Sequence, residues 1–255
     1  NSTKDGRGYN LLHLNALYDL ESQLFLDAVI QNGREEHESR ALVELVDRSE
    51  LTEPVILIAD RGYEAYNNIA HIEQKGWNYL IRVKEKQGIL SGLNLPDTPE
   101  FDACFSYSLS KRLTNRIRKE PQKYRWLPNK VQFDYIRDAS DDLYPLSFRV
   151  VRFLVKEDLY ETVITNLPEA SFPPSLLRML YHKRWGIETA FRDLKYTLAL
   201  THFHARKRSF IMQEIFAKMT LYNFASLLRL HTKFVQPKGK YFYRVNAVFA
   251  AHIAR

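Results

Sequence analysis

Tyr181, Arg184, Glu188 and Lys195 are a hydroxyl, two cations and a carboxylate, separated by two, three and six residues. Wound as a single helix at about 100° per residue, all four fall within roughly 60° of arc. A strip of this composition suits a phosphate held beside a metal ion, with the cations and hydroxyl on the phosphate oxygens and the carboxylate on the metal. The bland alternative is a solvated amphipathic helix carrying a Glu-Arg pair one turn apart. Gly186 counts against it, because a glycine inside a helix costs on the order of 1 kcal/mol relative to alanine and so marks a close approach. A second carboxylate, Asp60, follows the apolar run Val55-Ile56-Leu57-Ile58-Ala59. Such a run predicts a strand buried on both faces, and a carboxylate at the carboxyl end of a central strand points into the crevice where α/β sheets bind ligands. A turn or helix cap is the other use of an Asp there.

The elements that must position these groups are legible in outline. Residues Asn1 to Tyr9, with Gly6 and Gly8, read as a loop. Leu11 to Tyr18 and Gln23 to Ile30 read as two strands joined by a tight turn, and Glu35 to Asp47 as a helix behind an acidic first turn. The Asp60 strand, a helix from Ala65 to Lys75 and a strand from Trp77 to Val83 follow. From Lys84 to Leu167 short alternating runs predict antiparallel β, with strands at 130–136, 146–153 and 160–165. Leu180, Ile187, Phe191, Leu194 and Leu198 form the apolar stripe that anchors the Glu188 helix. Ile211 to Leu230 predicts a long helix packing across the sheet, stopped by Pro237-Lys238-Gly239-Lys240 before a basic tail.

The formal charge of +7 and a sequence pI near 9.3 suit a polyanionic partner. Seven cations lie between Lys111 and Arg125, opposed locally only by Glu120 and interleaved with aromatics up to Trp126. They can track a phosphate backbone and stack a base, or form a solvated face. The single cysteine, Cys104, excludes an internal disulfide and reads as packing rather than a zinc ligand. His202-Phe203-His204 reads as polar or backbone-bonding, and Arg206-Lys207-Arg208 as further phosphate contacts. No apolar run approaches the roughly 18 residues of a membrane span and no leader opens the chain, so a cytoplasmic or nucleoid-associated protein is expected. A start at Asn1 and an end at Arg255 without a helix stop read as part of something longer.

The spacing from Tyr181 to Lys195, with Asp60-Arg61-Gly62-Tyr63 after an apolar strand, resembles the DDE transposases of bacterial insertion sequences, in the subgroup named after Tyr, Arg, Glu and Lys. The resemblance extends from about Asn10 to Leu230. It implies an α/β fold, a ribonuclease H-like core of mixed sheet flanked by helices and interrupted by an antiparallel β insertion. The expected divisions are 1–84 for the first part of the core with its first strand missing, 85–167 for the insertion, 168–235 for the second part of the core and 236–255 for a basic segment. It further implies that Asp60 and Glu188 are catalytic carboxylates for two Mg²⁺ or Mn²⁺ ions. Tyr181, Arg184 and Lys195 would grip a DNA backbone phosphate, and Arg61, Arg112, Arg125 and Trp126 would add DNA contacts, Trp126 by holding a flipped base. The first carboxylate is expected upstream of Asn1, since Asp19 and Asp27 read as turn or strand-edge residues. The expected activity is cleavage of transposon ends and strand transfer into target DNA, by a homodimer on double-stranded DNA. The alternative is a truncated DNA-binding remnant without chemistry.

Overall fold

The computed structural model describes residues 11–33, 37–85 and 87–232. The Asp5-Gly6 loop, the first residues of the Glu35 helix, and the Pro237 stop with its basic tail lie outside the described residues. In chain order the first elements are β1 (Leu12–Asp19), β2 (Leu24–Asn32), α1 (Glu38–Arg48), β3 (Ile56–Ala59), α2 (Tyr66–Gln74) and β4 (Asn78–Arg82). Then come β5 (Phe101–Ser110), α3 (Asn115–Lys119), β6 (Tyr124–Trp126), β7 (Leu143–Lys156) and β8 (Leu159–Thr165). The last are α4 (Pro174–Lys183), α5 (Trp185–Tyr196) and α6 (Arg208–His231). None of the described helices is long and apolar enough to cross a membrane. The chain divides into two compact units, Asn1–Glu36 with Lys183–Arg255, and His37–His182.

In the first unit β1 and β2 form the expected antiparallel hairpin, with a bulge between Leu17 and Tyr18. Asp19 makes the turn: its carboxylate accepts from the backbone N–H of Glu21 (3.0 Å) and Ser22 (3.2 Å). Phe25, Ala28 and Ile30 point into a core completed by Ala190 and Leu194 of α5 and by Ile211, Ile215, Met219 and Tyr222 of α6. Helix α6 therefore packs on the hairpin. The Asn223 amide fastens it there, accepting from Phe25 N and donating to Phe25 O, both at 2.8 Å, as a neighbouring strand would.

The second unit is built on one mixed sheet of six strands in the order β3-β4-β8-β7-β5-β6. β3 and β4 are parallel, β4, β8, β7 and β5 pair antiparallel, and β6 runs parallel to β5. The antiparallel strands of 85–167 thus continue the sheet that carries Asp60. The run Val55–Ala59 is not buried on both faces: β3 is the sheet edge, with Ile56 and Ile58 only partly covered. The doubly buried strand is β4, where Tyr79, Leu80 and Ile81 are all 0 % exposed. Leu80 packs with Val151, Val163 and Leu177 of α4, so Tyr79 and Ile81 face the opposite side. Buried Arg149 of β7 pairs with Asp102 and donates to Leu167 O (2.7 Å), fixing the segment that leads into α4.

One expected strand is absent. Residues 130–136 are turns and irregular backbone. Their alternation is met by loop packing, with Phe133 and Ile136 buried, while Asp134 replaces a strand ladder with side-chain bonds. Its N–H donates to Asn67 Oδ1 (2.9 Å), and its Oδ2 accepts from Asn67 Nδ2 (2.8 Å) and contacts His71 Nε2 (3.0 Å).

Candidate active site

Asp60 lies directly after β3 and caps the 3-10 turn Arg61–Tyr63, its Oδ1 accepting from Gly62 N at 2.8 Å. The capping use and an outward-facing carboxylate coexist, because Asp60 remains exposed. Glu38 of α1 reaches the same turn. A Cβ placed on Gly62 would stand 2.7 Å from Glu38 Oε2 and 3.1 Å from Asp60 Oδ1. The two oxygens are therefore no farther apart than the sum of those distances, around a space that only glycine leaves open. Both are hard donors of the kind Mg²⁺ and Mn²⁺ prefer, so the cradle fits a divalent ion. A cleft of about 520 Å³ opens here, lined by Glu38, Asp60, Arg61, Glu64 and Lys84 among others. Burial first, and then the charges of Glu38 and Asp60, push the Tyr63 hydroxyl up to about 12. Glu64 is held by Lys84 N and Ile89 N, each at 2.8 Å; burial raises its carboxyl above the ordinary value against those bonds. The sequence signals Asp60 but not Glu38, since an acidic residue in a first helical turn already has a use against the helix dipole.

The helix expected through Tyr181 and Lys195 is interrupted at Arg184, which separates α4 from α5 while keeping φ −49° and ψ −33°. Tyr181 belongs to α4 and is 4 % exposed in the core of the second unit, so it is not the surface hydroxyl the row of four requires. The other three stand on or beside α5. Arg184 Nη1 lies 2.7 Å from Glu188 Oε1, the Arg side chain mostly covered and the Glu side chain 43 % exposed. The Arg184 guanidinium also lies over the Trp185 ring at 5.4 Å. Lys195 is exposed. Gly186 is explained by packing, since a Cβ there would come within 3.0 Å of Leu20 Cδ2 in the hairpin turn. Of the predicted apolar stripe, Phe191, Leu194 and Leu198 enter this unit's core, whereas Leu180 packs in the other.

The cation-rich stretch is less free than it reads. Lys111 is buried, donating to Val131 O (2.6 Å) and pairing with Asp138 (3.2 Å), and Arg112 pairs with Asp141 at 2.7 Å. Both carboxylates arrive from later in the chain, so Glu120 is not the only counter-charge. Arg116, Arg118 and Lys119 of α3 remain exposed. Arg125 lies over the Tyr107 ring at 5.3 Å and is half-buried, and Trp126 is 40 % exposed. Arg61 is exposed beside Asp60. Cys104, read as packing, is exposed on β5. His204 contacts Glu214 (3.6 Å), and no group of three or more His, Cys, Asp or Glu suited to a metal occurs among the described residues.

The sequence profile of a family described as the transposase DDE domain matches residues 1–224. No curated protein matches the chain.

Proposed function

The chain belongs to the transposase DDE domain family, and from that membership we propose that it acts in metal-dependent cleavage of DNA ends and strand transfer, as a bacterial insertion-sequence transposase of the Tyr-Arg-Glu-Lys subgroup. Transposition and DNA recombination come with the family. The observation that carries the finer reading is the Arg184–Glu188 pair at 2.7 Å on the helix that also presents exposed Lys195.

When bound, two Mg²⁺ or Mn²⁺ ions supply activation of the attacking oxygen and neutralisation of the leaving one. Asp60 presents one such carboxylate, oriented by the Gly62 N–H at 2.8 Å. Glu188 presents another, and its ion pair with Arg184 selects the rotamer in which the carboxylate waits. Arg184 and Lys195 hold the flanking backbone phosphate, while buried Tyr181 anchors α4. Asp19 is not the third carboxylate, because its oxygens are engaged by its own turn. Arg61, Arg112 and Arg125 extend the DNA contact, and the exposed face of Trp126 can stack a displaced base. The substrate is double-stranded DNA, transposon end and target, bridged by a homodimer in the bacterial nucleoid.

The test is Glu188→Gln in the complete protein, assayed for Mg²⁺-dependent cleavage of labelled end DNA. Cleavage is expected to fall by about a thousandfold or more, with DNA affinity within about threefold of the parent. Undiminished cleavage refutes the assignment. Salt-sensitive DNA binding with no metal-dependent cleavage by the unsubstituted protein favours the non-catalytic remnant instead.

A further inference from the structure

Glu38 is placed with more care than a dipole partner needs. Helix α1 is seated by Ala41, Leu42, Leu45 and Val46, all buried. Its first turn is tied to the Asp60 turn by Asn68, which is 0 % exposed and donates both to Ser39 Oγ (3.2 Å) and to Tyr63 O (2.8 Å). One side chain therefore links the Ser39 hydroxyl, next to Glu38, to the backbone of the turn that Asp60 caps. The result is two carboxylates converging on the Gly62 cradle, an arrangement that is repulsive by itself and becomes favourable when a cation joins them.

We propose that Glu38 is a further carboxylate ligand for the divalent ion held by Asp60, an inference that rests on the reading of Asp60 as a metal carboxylate. Glu38 lies outside both motifs that carry the family resemblance. Asn68 is a positioning residue in this scheme, because it holds the turn and the helix together without touching the ion. Gly62 is the third component: a methyl group there would displace the Glu38 carboxylate while leaving its charge intact.

The test uses the whole chain, with Mn²⁺ affinity read by electron paramagnetic resonance and the site located by Fe²⁺-directed hydroxyl-radical cleavage of the backbone. The parent is expected to be cut near both Glu38 and Asp60. Asp60→Asn should abolish both cuts. Glu38→Gln should weaken Mn²⁺ binding by about tenfold and remove the cut near residue 38, while the metal-free melting temperature stays equal or rises because a repulsion has been relieved. Gly62→Ala should weaken Mn²⁺ similarly with no change in charge. If Asp60→Asn abolishes binding but Glu38→Gln leaves affinity and cutting unchanged, Glu38 is not a ligand and the reading of Asp60 stands. A parent chain without cuts, or an Asp60→Asn chain that binds like the parent, overturns that reading and this inference with it.

Discussion

Two charged side chains in the sheet unit lead to opposite expectations about stability. Arg149 is buried with Asp102 and also donates to Leu167 O and Phe172 O, so removing Asp102 leaves a buried guanidinium without its counter-charge. Asp102→Ala should cost about 3–5 kcal/mol, read as a lowered urea midpoint, whereas Asp102→Leu with Arg149→Met should recover most of that loss. Glu73 differs in sign. Burial raises its carboxyl to about 7, only partly opposed by the Tyr79 hydroxyl at 3.4 Å. A carboxyl that binds its proton more tightly when folded stabilises the fold at low pH, and that contribution is lost as pH rises from the ordinary carboxylate range through about 7. Glu73→Gln should therefore raise the melting temperature by a few degrees at pH 8 and little at pH 5. Neither residue could be singled out in the sequence. Arg149 and Asp102 are 47 residues apart, and nothing in a local pattern says that an Arg inside an apolar strand has found a carboxylate.

Elements were legible where one local pattern decided them. The order hairpin, helix, strand, helix, strand from β1 to β4 follows from alternation, helical spacing and the breaks between them. The misreadings came from long-range partners. The alternation at 130–136 was a true burial signal without a strand, because Asn67 and His71 of α2 take the hydrogen bonds of Asp134. Burial raises the Asp134 carboxyl, but bonds from Asn67, His71 and Gln132 outweigh it and hold it below the ordinary value. A depressed carboxyl contributes stability above its unfolded value, and the contribution disappears as pH falls through the folded one. Acidification below about pH 4 should therefore loosen 130–137 before the sheet opens, seen as faster amide exchange in that segment. Asp134→Asn should loosen the segment at neutral pH as well. The Glu188 site was readable as a spacing, yet its split at Arg184 and the burial of Tyr181 were not, since helical periodicity cannot report which core each turn of a helix will enter.

The chain as a whole carries +7, but much of the positive charge in the insertion is already matched. Among the described residues of the insertion, the cations left exposed together without a carboxylate partner are those of α3, and Arg206, Lys207 and Arg208 form a second exposed group later in the chain. Replacing Arg116, Arg118 and Lys119 by Ala should reduce the slope of log affinity against log salt by about 2–3 on duplex DNA, without lowering the melting temperature. The two units also differ in how the chain builds them. All six strands of the large sheet lie within His37–His182, so this continuous segment, expressed alone, should show a cooperative thermal transition. The hairpin unit is assembled from both ends of the sequence, Phe25 being fastened by Asn223, 198 residues later. On a ribosome adding roughly 5–20 residues per second, β1 and β2 emerge before the sheet unit and then wait roughly 10–40 s for α6. During that interval Phe25, Ala28 and Ile30 have no permanent cover while the sheet unit can finish folding. The hairpin is thus made before the sheet unit and completed after it, and in a cell it is the part that most needs a chaperone.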